Sequence, residues 1–294
     1  MANEQGEFMR LRLVTILAVI ALAVAVVMLG SSGIAAQAAA PGAPAATQGL
    51  TIEGAWVQVA GDVQSTFSLE KGFPEAHAKI ANARPVNRSV VIDPPDGRIP
   101  FQPWALKVRD AREAVHDDAT RLTSKDLDGR AKCYLAGVPR IVTGAGLITM
   151  TRFPDRVTMQ TEFTHQYRVI YTDGRPHLHK SLTLWNGDSR GRWEGDAFVV
   201  ETTNLNGYAW LDLIGSFMSN EATVVERVTP IDASTIGWAA TVSDPSVFTR
   251  PWTIRWRLVR DPEKREIWEQ ACVEGNKFGL WANIRDREIG HKAR

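Results

Sequence analysis

The sequence lacks several familiar signatures, and each absence excludes a class of function. It has only two cysteines in 294 residues, and neither has a second cysteine or a histidine at ligand spacing, so we expect no zinc or c-type haem site built on them. It has no GxGxxG or P-loop motif to hold a nucleotide. Its formal net charge of +1 leaves no basic stripe for nucleic acid. We therefore predict a protein with no cofactor and no nucleic-acid partner.

Tryptophan is the residue type that stands out by its abundance. Ten tryptophans occur against four tyrosines, whereas the hydrophobic share of 44% and the charged share of 23% are ordinary for a globular protein. Tryptophans in this number indicate aromatic walls within the fold. The length suits one β-rich domain as well as it suits two smaller ones.

The N-terminal residues 1–38 have the pattern of a signal peptide. Leu13 to Leu29 is apolar apart from one threonine, follows Arg10 and Arg12, and precedes a small-residue A-x-A pattern that ends at Ala38. Cleavage after Ala38 predicts a periplasmic or secreted protein. The alternative is an uncleaved anchor, since the apolar run approaches the minimum length of a membrane-spanning helix, and it is the only membrane contact we expect.

Residues 39–49 read as a linker, and residues 50–294 read as one folded domain. The linker is rich in proline, alanine and glycine, has no apolar side chains to bury, and is predicted to be disordered. In the domain, an amphipathic helix is predicted near residues 103–122. Its apolar side chains recur at helical spacing, and Pro103 stands where a helix can begin.

Short strands dominate the rest of the domain. After strands near 50–59 and 88–92, nine more are predicted near 147–151, 156–163, 167–172, 181–185, 197–203, 222–229, 235–243, 252–260 and 266–272. In the clearest, Trp252, Ile254, Trp256 and Leu258 alternate with polar residues, which gives one apolar face. Many short strands with turn signals between them predict a mainly β fold, an antiparallel barrel or strongly curved sheet.

Residues 186–196 read as a polar turn that precedes one of these strands. Three glycines recur at every fourth position, Gly187, Gly191 and Gly195, among six charged or hydroxyl side chains. One interpretation is a loop at the barrel mouth that binds a polar ligand group. The other is a hydrogen-bonded turn that sets the strand register.

Five segments, which are in chain order YRVIYTDGRPH, GDSRGRWEGDAFVVETT, VVERVTPID, DPSVFTRPW and ACVEGN, resemble motifs of a large uncharacterised family of exported bacterial proteins. The resemblance spans about Val90 to Arg285 and implies export, without an established activity. Val273 and Met218 stand where many members of that family have histidine. A weaker resemblance to lipocalin-like barrels is carried by the G-x-W at Gly54 to Trp56.

The upstream segment CYLAGVPR also fits that family, so Cys133 and Cys272 both fall within matching segments, which favours a disulfide between them. An exported chain meets an oxidising compartment, where such a bond forms and persists. In the chain-entropy model a bond that closes so long a loop stabilises the fold by up to about 4 to 5 kcal/mol. The alternative is two buried thiols.

Four residues are candidates for catalysis by proton transfer. Glu162, His165 and Arg168 lie where one predicted strand ends and the next begins, so they could combine a carboxylate, a base and a cation that holds an anion. Glu274 is a further candidate acid, because the glycine behind it suits a turn at the barrel rim. The alternatives are a cross-strand salt bridge with a surface histidine, and a turn carboxylate that caps backbone amides.

Two further groups carry weaker signals. His177 and His179 would face the same way in an extended chain, as a metal pair requires, but a solvated loop explains them better, because no carboxylate lies close to them on the same predicted strand. We therefore predict no metal site. Glutamates on three strands, Glu201, Glu226 and Glu269, are either exposed partners of arginines or inward-facing acids with a raised pKa.

The sequence thus predicts a barrel that binds a small amphipathic molecule. The predicted ligand-contacting aromatic residues are Trp56, Tyr167, Trp185, Trp193, Trp238 and Trp256. If the barrel also converts its ligand, a lyase, isomerase or hydrolase reaction without a cofactor suits the candidate catalytic groups. The alternative is a non-catalytic carrier or a cell-envelope interaction protein.

Overall fold

The computed structural model of the protein describes residues 51–59, 68–71, 89–116, 123–143, 146–261, 263, 266–270 and 272. All of these residues belong to one compact unit, Gln48–Arg294. The predicted signal peptide and linker, and the candidate acid Glu274, lie outside the described residues. No helix in the described ranges is long and apolar enough to cross a membrane.

The described fold is mainly β. Its strands are β1 (Gly54–Gln58), β2 (Val91–Asp93), β3 (Ile148–Arg152), β4 (Arg156–Thr161), β5 (Tyr167–Tyr171), β6 (Asp188–Glu194), β7 (Ala197–Thr203), β8 (Thr223–Asp232), β9 (Thr235–Ser243) and β10 (Trp252–Arg260). One α-helix, α1 (Pro103–His116), is described, along with 3-10 helices at Gly129–Lys132, Arg140–Val142 and Phe163–His165. The helix begins at the predicted proline.

Nine of the strands close into a barrel. β1 pairs with β3, the order then follows the chain from β3 to β10, and β10 pairs back with β1. β2 adds to another part of β10 as the tenth strand. Closure removes the free edges that an open sheet would present. The predicted lipocalin-like barrel is therefore confirmed.

The pairing departs from the antiparallel prediction at one place. β5 and β6 run parallel, with Ile170 opposite Ser189, whereas the other described strand pairs are antiparallel. A parallel pair needs a connection that returns along the barrel. Residues 172–187 make this connection, which we call the crossover segment. The predicted strand at 181–185 lies within it and forms only a single bridge, between Leu184 and Leu205.

The crossover segment brings its last residues to the same barrel end as several long connections. Because neighbouring antiparallel strands alternate in direction, the chain before β3, the link from β7 to β8 and the link from β9 to β10 meet at that end. Helix α1 lies there too, since Trp104 Nε1 donates to the Ser246 carbonyl at 3.1 Å and Arg112 Nη1 to the Gly215 carbonyl at 3.0 Å. We call this the covered end of the barrel.

The barrel interior is a packed hydrophobic core. Alternation sends one side of each strand inward, and the predicted apolar face of β10 is at most 1% exposed. Trp56, Trp238, Trp252 and Trp256 are among the largest fully buried side chains of this core. A barrel of about eight strands has an interior that side chains can just fill. Three of the six predicted ligand-contacting residues, Trp56, Trp238 and Trp256, thus pack the core and expose almost no surface to a ligand.

The glycine-spaced segment predicted as a turn is instead a strand, β6. Its hairpin partner β7 explains the glycine at position 191, because a Cβ there would lie 2.5 Å from the Phe198 ring. Its first two residues, Asp188 and Ser189, are buried and hydrogen-bonded. Only Gly195 and its neighbour Asp196 form the turn. The predicted strand at 266–272 is also wrong, since residues 266–270 have no regular secondary structure and no strand pairing.

Candidate functional site

The covered end of the barrel holds a cleft of about 350 Å³, which we call the aromatic cleft. Its lining residues come from α1, from the chain before β3, from the end of the crossover segment and from the link between β7 and β8. They are Arg112, Lys125, Asp126, Leu127, Gly129, Lys132, Tyr134, Trp185, Tyr208 and Trp210. The barrel itself supplies none of them, so the strands act as the scaffold that brings these connections together.

Three rings form a continuous side of this cleft, which we call the aromatic wall. The ring centroids of Tyr134 and Trp185 are 5.4 Å apart, and those of Trp185 and Tyr208 are 6.1 Å apart. These spacings are typical of interacting aromatic pairs. Tyr208 is 72% exposed and Tyr134 is 50% exposed, so much of the wall faces open space.

Two glycines shape the space around Trp185. A Cβ at Gly129 would lie 3.5 Å from Tyr134 and 4.0 Å from the Trp185 ring, so any larger side chain there would enter the cleft. At Gly137, which has φ of +72°, a Cβ would lie 2.5 Å from Ala209 Cβ. Glycine at 137 therefore allows the chain before β3 to approach the link between β7 and β8, which carries Tyr208.

A buried ion pair holds the chain beneath the aromatic cleft. Arg140 Nη1 and Nη2 donate to the two carboxylate oxygens of Asp128 at 2.8 and 2.7 Å, and Arg140 also donates to the Trp210 carbonyl at 3.1 Å. Asp128 in turn accepts from the Arg130 amide and so caps the 3-10 helix Gly129–Lys132. A bidentate pair of this kind fixes both partners in orientation.

Asp212 is a second buried carboxylate in this region. Burial raises its pKa to about 6, against the opposing effect of hydrogen bonds from the Ser216 hydroxyl and amide and from the Leu69 amide. A carboxyl with a raised pKa is a common feature of functional sites, although structural networks show it too. Asp212 is fully buried and does not line the aromatic cleft, so we interpret it as structural.

Cations outnumber acids around the aromatic cleft. Arg112, Lys125 and Lys132 line it together with a single acid, Asp126. Asp126 accepts hydrogen bonds from the amide and hydroxyl of Thr123 rather than from these cations. The cleft therefore combines an aromatic wall with net positive charge.

The disulfide joins Cys133 to Cys272, with 5.7 Å between their Cα atoms. This confirms the predicted pairing. Cys133 directly precedes Tyr134 of the aromatic wall and ends the 3-10 helix in a left-handed conformation. The bond thus ties a residue near the C terminus to the wall of the cleft.

The structure does not bring the predicted catalytic residues together. Glu162 accepts hydrogen bonds from the backbone amides of Leu147 and Trp268, at 2.9 and 3.2 Å. His165 is exposed, and Arg168 is buried in the barrel interior. Within the described part of the chain, no side-chain hydrogen bond or ion pair connects any two of these three residues. Backbone conformation separates them, since Thr164 and His165 both have positive φ, at 57° and 48°.

Arg168 instead belongs to a polar network inside the barrel. Its guanidinium donates to Glu226 Oε2 at 2.5 Å, to the Thr202 hydroxyl at 2.7 Å and to the Ser189 hydroxyl at 3.0 Å. Glu226 also accepts from Trp238 Nε1 at 3.1 Å. Glu226 therefore faces inward, one of the two arrangements considered from sequence. Its partner is Arg168 and not an arginine of a neighbouring β-hairpin.

The remaining predicted ligand-contacting aromatics lie in different places. Trp185 lies in the aromatic wall. Trp193 packs at 4.8 Å against Phe198 and beneath the Arg152 guanidinium. Tyr167 and His165 line a separate cleft of about 270 Å³ together with Ile267, Trp268 and Glu269. The prediction thus named one residue of the aromatic wall.

The two histidines of the H-x-H pair have different partners. His177 lies between two carboxylates, with Nδ1 at 2.9 Å from Asp188 and Nε2 at 3.2 Å from Glu201. His179 Nδ1 contacts the Ser181 hydroxyl at 2.8 Å. In the ranges that the structure describes, no group of three or more histidine, cysteine or acidic side chains could hold a metal ion. His177 instead fastens the crossover segment to β6 and β7.

Sequence reasoning missed Asn204, which also fastens the crossover segment. Its side-chain amide donates to the carbonyls of His179 and Leu182 at 2.9 and 2.8 Å, and its backbone carbonyl accepts from the Leu184 amide. Asn204 adopts a left-handed conformation with φ of 57°, which asparagine tolerates better than most residues. Its contacts hold the part of the crossover segment that leads to Trp185.

The other cleft residues carried weak signals in the sequence. Tyr134 lies in the CYLAGVPR segment, next to a cysteine that was singled out. Arg112 lies on the polar face of the predicted helix, and side chains on such a face are expected to be exposed to solvent. Nothing in the sequence around Tyr208 indicated a site.

Comparison with known proteins adds no relative. No protein-family model, no curated protein and no solved structure matches this chain.

Proposed function

We propose that this protein binds a small amphipathic molecule in the aromatic cleft. The sequence predicted such a ligand inside the barrel. The tryptophans of the barrel interior, however, are buried in the hydrophobic core and have no surface left for a ligand. The observation that carries the proposal is the aromatic wall of Tyr134, Trp185 and Tyr208 along a cleft of about 350 Å³. That volume is within the range of small-molecule sites.

Exposed aromatic surface is the first support for this proposal. Large apolar side chains that remain in contact with water forgo the free energy of burial, and clusters of them mark binding sites. Tyr208 and Tyr134 contact Trp185 in tilted arrangements and keep at least half of their surface exposed. A flat apolar ligand face would complete this packing.

The rigid support of the aromatic wall is the second argument for this proposal. The Asp128–Arg140 pair, the disulfide at Cys133 and the Asn204 hydrogen bonds hold the chain segments that carry the aromatic wall. A preformed site binds more tightly than one that must be ordered by its ligand, because less conformational entropy is lost.

Binding without turnover is the role that this geometry supports best. Asp126 is the single carboxylate among the described lining residues, and Thr123 already donates to it. The residues considered for proton transfer, Glu162, His165 and Arg168, line other parts of the molecule. We therefore favour the carrier or ligand-sensing role over conversion of the ligand.

We further propose that the protein works outside the cytosol. The Cys133–Cys272 disulfide supports this, because disulfides persist in oxidising compartments. The signal-peptide pattern of residues 1–38 and the motif resemblance to exported bacterial proteins point the same way. N-terminal sequencing of the exported protein tests it: a mature chain that begins after Ala38 supports export, and a retained leader on cytosolic protein contradicts it.

The binding proposal is tested with two naphthalene probes, 2-naphthoate and 2-naphthalenemethanol, titrated calorimetrically into the full chain. We expect at least one probe to bind, and Trp185→Ala to weaken that binding at least fivefold, since an aromatic contact contributes about 1 kcal/mol.

Trp268→Ala is the matched control, because Trp268 is 71% exposed and lies outside the aromatic cleft. It should leave the affinity unchanged. If neither probe binds, or if both variants weaken binding equally, the aromatic cleft is not the ligand site.

A further inference from the structure

Arg112 is a half-buried cation that has no acidic partner in the part of the chain that the structure describes. It lies on α1 at the edge of the aromatic cleft. Its Nη1 donates to the Gly215 carbonyl at 3.0 Å, and its guanidinium carbon lies 4.9 Å from the Trp210 ring centroid and 4.7 Å from that of Phe217. No carboxylate among the described residues forms an ion pair with it.

In contrast to Arg112, the three described arginines that are fully buried each form an ion pair with a carboxylate. Arg109 pairs with Glu70 at 2.7 Å, Arg140 with Asp128 at 2.7 Å and Arg168 with Glu226 at 2.5 Å. A charge that loses water is costly unless an opposite charge or hydrogen bonds compensate for it. Burial lowers the pKa of Arg112 because its charged form loses hydration.

The two rings hold the guanidinium in a defined place. Arginine stacks favourably on aromatic faces, and such stacking leaves the edge of its planar group free for hydrogen bonds. On Arg112 only Nη1 has a partner among the residues that the structure describes. The remaining N–H groups are therefore free to receive an anion.

The surroundings of Arg112 add to the positive potential. Lys132 lines the same cleft, where its Nζ donates to the Ser124 carbonyl at 3.2 Å and lies 5.8 Å from the Tyr134 ring centroid. Lys125 is a third cation in the lining, and Asp126 is the one acid among the ten described lining residues. An anionic ligand group would meet attraction from all three cations.

We infer that Arg112 binds the carboxylate of an aromatic carboxylic acid, whose ring packs on the aromatic wall. This inference rests on the proposed function and specifies its ligand class. The planar fork of arginine matches a carboxylate and pairs with it through two parallel hydrogen bonds. Arg112 on one side and Trp185 with Tyr208 on the other then recognise the two ends of one ligand.

The test compares 2-naphthoate with 2-naphthalenemethanol, which has the same ring system and no charge. We expect the unaltered protein to bind the acid at least tenfold more tightly than the alcohol. Raising the salt concentration should weaken binding of the acid and leave binding of the alcohol nearly unchanged, because salt screens charge interactions. This part needs no variant, so it does not depend on whether a substitution folds.

Two substitutions then locate the charge. Arg112→Gln should remove the preference for the acid while the alcohol binds as before, and Arg112→Lys should restore part of the preference. Arg250→Gln is the matched control, since Arg250 pairs with Asp93 away from the cleft. If Arg112→Gln does not fold, Lys132→Gln should still reduce the preference, by a smaller factor.

The outcomes separate the two proposals. Equal affinities for the acid and the alcohol, or a preference that survives both Arg112→Gln and Lys132→Gln, would overturn the inference about the carboxylate and leave the aromatic cleft as a binding site. Failure of both probes to bind would overturn the proposed function itself.

Discussion

The barrel interior and the aromatic cleft are both rich in aromatic rings, but the rings have opposite surroundings. In the interior, Trp56, Trp238 and Trp256 are at most 1% exposed and pack into one continuous core. In the cleft, Tyr134 and Tyr208 are at least half exposed along Trp185. Aromatic abundance therefore says little about ligand binding until the exposure of each ring is known.

Charged groups show the same contrast between the two regions. Inside the barrel, Arg168 forms an ion pair with Glu226 and donates hydrogen bonds to two hydroxyl groups. At the cleft, Arg112 contacts two aromatic rings and a carbonyl, and no described carboxylate pairs with it. A fold that pairs its deeply buried charges has reason to leave one unpaired at a surface where a ligand can supply the partner.

The first way to sharpen this comparison is to remove one tryptophan from each region. Trp256→Ala should lower the free energy of unfolding by about 3 to 5 kcal/mol, because it leaves a cavity in the core. Trp185→Ala should lower it by less than about 1.5 kcal/mol, because the ring is only partly buried. Urea unfolding followed by circular dichroism measures both, and equal losses would contradict the division into core and cleft.

A second test acts on the charges of the interior. Glu226→Gln keeps the shape of the side chain but leaves Arg168 as an uncompensated buried charge, so the free energy of unfolding should fall by about 3 kcal/mol. The control is Glu201→Gln on the neighbouring strand, where the glutamate side chain is 46% exposed and contacts His177. That change should cost less than about 1 kcal/mol. Similar losses for the two variants would show that the buried Arg168–Glu226 pair contributes no more to stability than an exposed contact.

A third test concerns the buried carboxyl of Asp212 and measures how the free energy of unfolding depends on pH. The folded-state pKa of Asp212, about 6, lies above the ordinary value of 3.8 because of burial. Between these values the folded protein holds a proton that the unfolded chain has released, so the free energy of unfolding should fall as pH rises from about 4 to about 6, by up to about 3 kcal/mol.

The variant Asp212→Asn provides the reference for this pH effect. Urea midpoints measured across this range should show a smaller decline for Asp212→Asn than for the unaltered protein, since the other titrating groups are common to both. Parallel curves would mean that the carboxyl of Asp212 stays ionised in the folded protein.

Most strands could be predicted from the sequence because alternation is a local property. The faces of β4 and β10 are those that the pattern of apolar residues indicates. β6 was missed because only Trp193 on its inward side is a large apolar residue. The other inward positions are Ser189 and Gly191, which carry no hydrophobic signal. Their burial depends on Arg168 and on the Phe198 ring, which come from neighbouring strands.

The candidate site was harder to predict, because it joins residues that are far apart in the chain. Glu162, His165 and Arg168 are close in sequence, yet a turn with two left-handed residues directs them to different surroundings. Arg112, Tyr134 and Tyr208 are distant in sequence, yet the barrel brings their segments to one end. The spacing of residues along one strand does not show which distant segments the fold brings together.

The sequence by itself determined the β-rich architecture, the start of α1 and the candidate disulfide partners, since periodicity, proline and cysteine act through local chemistry. Only the tertiary structure decided which rings are core and which face a ligand. That choice depends on how nine strands close and on where the crossover segment returns. Burial of a ring is decided by the neighbours that distant parts of the chain place around it, and a single stretch of sequence does not contain them.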